Sequence, residues 1–73
     1  MNIGQNIKKA RKQAEMTQKE LAEWLEVYQK DISRWENGQL VPSAVTLGKI
    51  CKELQVSADE ILELKASIKK KRI

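Results

Sequence analysis

Apolar residues recur along this chain at intervals of three and four and never cluster into alternating β-branched runs, so the pattern predicts helices and no sheet. Ile3, Ile7, Ala10 and Ala14 lie at helical spacing with lysines between them. They predict a first helix over 3–14 that ends near Glu15, with Met16 filling the core after the turn. Thr17-Gln18-Lys19-Glu20 has the form of a capping box, in which the threonine oxygen and the glutamate satisfy free amides of a first turn. The second helix is therefore expected over 17–25, with Leu21, Ala22 and Leu25 inward. A third follows over 29–36. Ile32 and Trp35 make its apolar stripe, Tyr28 extends that stripe one turn back, and Asn37-Gly38 stops it. Ser43, after Pro42, is the expected cap of a fourth helix, in which Leu47, Ile50, Cys51 and Leu54 fall at i, i+3, i+4 and i+7. Ser57-Ala58-Asp59-Glu60 is a second capping box and predicts a fifth helix. Ile61 and Leu62 point inward there, and Leu64 and Ile68 continue an apolar edge. The expected fold is all-α: a compact five-helix domain over residues 1–64 and a basic C-terminal extension over 65–73.

The chain has 73 residues, enough for one small domain whose core is limited. Cys51 is the only cysteine and there is no histidine, which removes a disulfide framework, a multi-thiolate zinc site and every Ser-His or Cys-His pair. Gly4, Gly38 and Gly48 are too scattered to cradle a phosphate. No enzyme, metal or cofactor is expected. Cys51 on an apolar face reads as a small core residue. No stretch approaches the roughly 20 apolar residues of a membrane span, and the first residues lack the apolar centre of a signal peptide, so a cytoplasmic protein is expected. The net charge of +4 is unevenly placed: Lys65, Lys69, Lys70, Lys71 and Arg72 crowd the last nine positions with no acid among them. On charge alone that tail is a solubilising end.

The segment TQKELAEWLEVYQKDISRWENG, from Thr17 to Gly38, resembles the Cro and repressor family of helix-turn-helix domains. Its markers are TQKELA, the Leu25-x-Val27 turn and ISRWENG. Pro42-Ser43, Leu47, the stretch from Ile50 to Leu54 and the Val56-Ser57 step extend the resemblance over the whole chain. The resemblance implies a lambda-repressor-like fold, with the second helix over about 17–25 and a recognition helix over about 28–36. It implies a sequence-specific transcriptional regulator, expected to be a repressor, that binds a double-stranded DNA operator as a homodimer.

The same resemblance assigns residues. Gln29, Lys30, Ser33 and Arg34 would face base edges; glutamine suits adenine, and arginine or lysine suits guanine. Gln18, Tyr28, Asn37, Lys19 and Lys12 would contact phosphates, Gln18 from a helix N-terminus. Lys8, Lys12 and Lys19 read equally well as plain surface lysines. Arg11 and Glu36 match a pair that forms an internal salt bridge in lambdoid phage repressors. Leu64 and Ile68, with the loop before the fourth helix, are candidate dimer contacts. Three positions depart from the family pattern. Glu26 stands where the turn usually has glycine, Tyr28 replaces the usual serine or threonine cap, and Trp24 occupies a normally charged, exposed site. The alternative function is a protein-interaction module on the same fold, such as an antitoxin or anti-repressor.

Overall fold

In the computed structural model, which describes residues 2–56, 61 and 62, four helices follow one another without a strand among the described residues. They are α1 (Ile3–Gln13), α2 (Gln18–Leu25), α3 (Gln29–Glu36) and α4 (Ala44–Leu54). Each of α1, α2 and α4 opens on a side-chain cap. Asn2 accepts from the Gln5 amide, Thr17 and Glu20 complete a capping box, and Ser43 accepts from the Thr46 amide. These caps satisfy amides that have no partner inside the helix.

One fully buried side chain from each helix enters the centre: Ile7, Leu21, Ile32 and Ile50, joined by Ile61. The surrounding cluster holds Ala10, Ala22, Leu25, Trp35, Cys51 and Leu54. α3 packs on both α1 and α2, and α4 closes against the same two. Ile61 and Leu62 are helical, and the Asn6 side-chain amide donates to the Ile61 carbonyl at 2.8 Å. The capping box at 57–60, the dimer candidates Leu64 and Ile68 and the extension at 65–73 lie outside the described residues.

Two expected core positions are corrected. Ala14 is exposed, because α1 ends one residue before it. Gly4 and Arg11 are buried beside Ile7 and Ala10 instead. Tyr28 is 73 % exposed: it precedes the first turn of α3 in an extended conformation, so helical spacing no longer relates it to Ile32.

All four helices stop by the same device. The amides of Met16, Val27, Gln39 and Val56 each donate to the carbonyl five residues earlier, at 2.9–3.2 Å. The residue just before each of these four has a positive φ. This is the Schellman closure, and in three cases the following apolar residue (Met16, Val27 or Val56) packs on the core. Only α3 uses glycine, Gly38; Glu15, Glu26 and Gln55 adopt the left-handed conformation with a Cβ. Glu26→Gly is therefore expected to stabilise the domain. Relief of about 1–2 kcal/mol of left-handed strain exceeds the extra chain entropy of glycine, about 0.5–1 kcal/mol. A thermal melt checks this, and a lower melting temperature for Glu26→Gly would refute the strain.

Candidate nucleic-acid interface

α2 and α3 are joined by only three residues, Glu26, Val27 and Tyr28. Glu26 reverses the chain at φ 59°, and Val27 tucks its side chain against the core. α3 then has two unlike faces. Ile32, Trp35 and Glu36 are buried, while Gln29, Lys30 and Arg34 are exposed and Ser33 is half-buried. The inner face fixes the helix to its neighbours; the outer face carries only polar and charged side chains.

A buried polar network secures the C-terminal end of α3. Arg11 Nε donates to Glu36 Oε2 at 2.7 Å and Arg11 Nη2 donates to Glu36 Oε1 at 3.1 Å. Arg11 Nη1 donates to the Met16 carbonyl at 2.8 Å, and Gln18 Nε2 donates to Glu36 Oε1 at 3.0 Å. Arg11 is 8 % and Glu36 6 % exposed. The fork geometry satisfies both carboxylate oxygens. It ties α1, the first residue of α2 and the last residue of α3 into one unit. No buried side-chain nitrogen or oxygen among the described residues lacks a partner.

Gln18, Gln29, Lys30, Ser33, Arg34 and Gln39 line one open depression. The fold thus gathers all four expected base-facing residues beside Gln18, although 11 to 16 positions separate Gln18 from them in sequence. Gln39 is an addition to the set. The turn at Gly38 brings it back over α3, where its amide donates to the Arg34 carbonyl at 2.9 Å. The signal for it in the sequence was the glycine stop itself.

Two contacts orient the cations of this face. The Lys30 ammonium lies 5.5 Å from the centre of the Tyr28 ring, a cation–π distance. Arg34 Nη1 stands 4.0 Å from Asp31 Oδ1 one turn away. Tyr28 makes no cap hydrogen bond to α3, so its ring and hydroxyl project from the start of that helix. Asn37, exposed at the other end, donates from its side-chain amide to Ser33 Oγ at 3.4 Å.

Other expected contacts stand apart. Lys12 lines a separate depression on α1 with Gln5, Lys8, Lys9 and Gln13. Lys19 is exposed on α2 but does not line the depression over α3.

Comparison with known proteins agrees with this architecture. Over 62 residues the chain is 37 % identical to an HTH-type transcriptional regulator, ImmR, of Bacillus subtilis (strain 168). The match covers 85 % of this chain and 49 % of the relative, so the chain spans about half the length of that protein. A family model described as a helix-turn-helix domain matches residues 4–67. With the short turn between α2 and α3 and the motifs from Thr17 to Gly38, these matches show that the chain belongs to the Cro/repressor-type helix-turn-helix family.

Proposed function

We propose that the chain is a sequence-specific double-stranded DNA-binding regulator of transcription that reads the major groove with α3. The observation that carries this reading is the single depression in which Gln29, Lys30, Ser33 and Arg34 meet Gln18 and Gln39 on a rigidly anchored helix. Gln29, Lys30, Ser33 and Arg34 are the base-reading residues. Gln18, Tyr28, Asn37, Lys19 and Lys12 contact phosphates, Gln18 with the amide hydrogen that Glu36 does not take. Arg11 and Glu36 serve the scaffold. The domain is the lambda-repressor-like form over residues 1–64, with Ile61 and Leu62 in a fifth helix and a basic extension over 65–73.

The regulator works as a homodimer in the cytoplasm and acts as a repressor. Two half-sites a helical turn apart, roughly 34 Å, call for two-fold symmetry. Repression by occupying an operator needs nothing beyond DNA binding. The dimer surface combines Leu64 and Ile68 with the loop before α4, where Leu40 and Val41 are exposed and Val45 follows on the first turn. No helix among the described residues is long and apolar enough to cross a membrane.

Binding sites selected from random duplex DNA test the reading, and a wild-type protein that selects no sequence refutes it. Within the selected site, Arg34→Ala and Gln29→Ala are expected to cost about 1–3 kcal/mol on the cognate duplex and little on a scrambled one. Both variants keep the fold, because neither side chain is buried. Equal losses on both duplexes would reassign these residues to phosphate contact.

A further inference from the structure

The side chains that line the depression over α3 are held to very different degrees. Gln29 and Gln39 are exposed, and their side-chain amides make no hydrogen bond among the described residues. Lys30 and Arg34 are exposed too, against the Tyr28 ring at 5.5 Å and the Asp31 carboxylate at 4.0 Å. Gln18 differs. It is half-buried, and its Nε2 donates to Glu36 Oε1 at 3.0 Å. Glu36 is fixed in turn: Arg11 donates to both of its oxygens, at 2.7 and 3.1 Å, and its side chain is 2 % exposed. A chain of fixed groups thus runs from α1 through the last residue of α3 to the first residue of α2.

A carboxylate paired with arginine only accepts hydrogen bonds, whereas a side-chain amide has a donating and an accepting end. Glu36 therefore holds Gln18 by its nitrogen alone. Turning the amide over would set its carbonyl oxygen against a buried carboxylate oxygen. One amide hydrogen goes to Glu36, and the other stays available. We propose that Glu36 is a positioning residue for DNA: it fixes the orientation in which the Gln18 amide meets a phosphate before the duplex arrives. This role rests on the DNA-binding reading above and adds to the part Glu36 has in the salt bridge. A glutamine free in solvent loses rotamer freedom when it binds. Gln18 has lost that freedom on folding, so its contact with the duplex forms without the ordering cost. The buried pair thereby has a use that its small net contribution to stability does not supply. Two packed apolar side chains could hold α1 to α3, but they could not hold an amide.

NMR relaxation of the side-chain amides in the free wild-type chain tests the positioning with no DNA and no substitution. The Gln18 amide is expected to have an order parameter of about 0.8, close to rigid backbone, and the Gln29 and Gln39 amides values below about 0.6. A Gln18 amide as mobile as theirs overturns the proposal, whatever operator selection gives. The second arm is a cycle of variants on the selected duplex. Gln18→Ala is expected to weaken binding about tenfold in wild type, the loss of one hydrogen bond to a charged group, and about twofold in Arg11→Met with Glu36→Met, where Gln18 has no anchor. Arg34→Ala is expected to weaken binding by the same factor in both backgrounds. Circular dichroism confirms that each variant is folded; if the doubly substituted chain is not, the relaxation result decides alone. Equal Gln18→Ala losses in the two backgrounds overturn the proposal. A parallel fall in the Arg34→Ala loss overturns it too, because the pair then supports α3 as a whole. A wild-type chain that selects no sequence fails the DNA-binding reading instead, and the order of the Gln18 amide is read independently of it.

Discussion

Arg11→Met is expected to lower the unfolding free energy by about 3–5 kcal/mol, the cost of leaving the other half of a buried pair without its partner. Arg11 supplies three hydrogen bonds, two to Glu36 and one to the Met16 carbonyl. Without it, Glu36 retains only the Gln18 amide while its side chain stays almost fully enclosed. The loss is large for a chain of this size, whose whole stability is on the order of 4–11 kcal/mol at typical values per residue. The pair itself adds little over a well-packed apolar pair, since both charges were taken out of water to form it. Arg11→Met with Glu36→Met is therefore expected to recover much of the lost stability. Urea denaturation followed by the buried Trp35 measures all three proteins. A single-variant cost below about 1 kcal/mol, the range of exposed ion pairs, would show that the bridge is effectively solvated.

Gly4→Ala is expected to be nearly as damaging. A Cβ at Gly4 would overlap the Trp35 carbonyl oxygen and come within 3.0 Å of that of Glu36. Overpacking costs about 1–3 kcal/mol. The upper end applies here, because the obstacle is backbone at the end of α3 and cannot rotate aside as a side chain would. α1 has to move off α3 beside the Arg11–Glu36 bridge. Gly48→Ala is the control. It is exposed within α4 with nothing near its added Cβ, so it gains about 0.5–1 kcal/mol from lower chain entropy. At about 4–8 °C per kcal/mol, the two alanine variants should melt on opposite sides of wild type. A Gly4→Ala protein that melts at or above wild type would refute the close approach of α1 to α3.

The sequence by itself determined the local order of this protein. Caps, helical spacing and stop signals depend on residues within one or two turns, so Thr17-Glu20, Ser43 and Asn37-Gly38 were enough to place α2, α4 and the end of α3. The motif from Thr17 to Gly38 pointed to the family for the same reason: its scaffold positions lie close together along the chain. Periodicity failed at the helix ends. Ala14 and Tyr28 continued an apolar spacing past the point where the helix existed, and a period has no meaning outside the helix. Only the tertiary structure decided which distant residues meet. Gly4 looked like an ordinary glycine until α1 was laid against the Trp35 carbonyl. Gln39 joined the depression over α3 because the Gly38 turn folds the loop back. Gln18, expected at a phosphate, gives one amide hydrogen to Glu36 because the ends of α2 and α3 converge on Arg11. Close approaches and shared partners of this kind depend on how the helices are placed in space, and no local spacing in the chain encodes that placement.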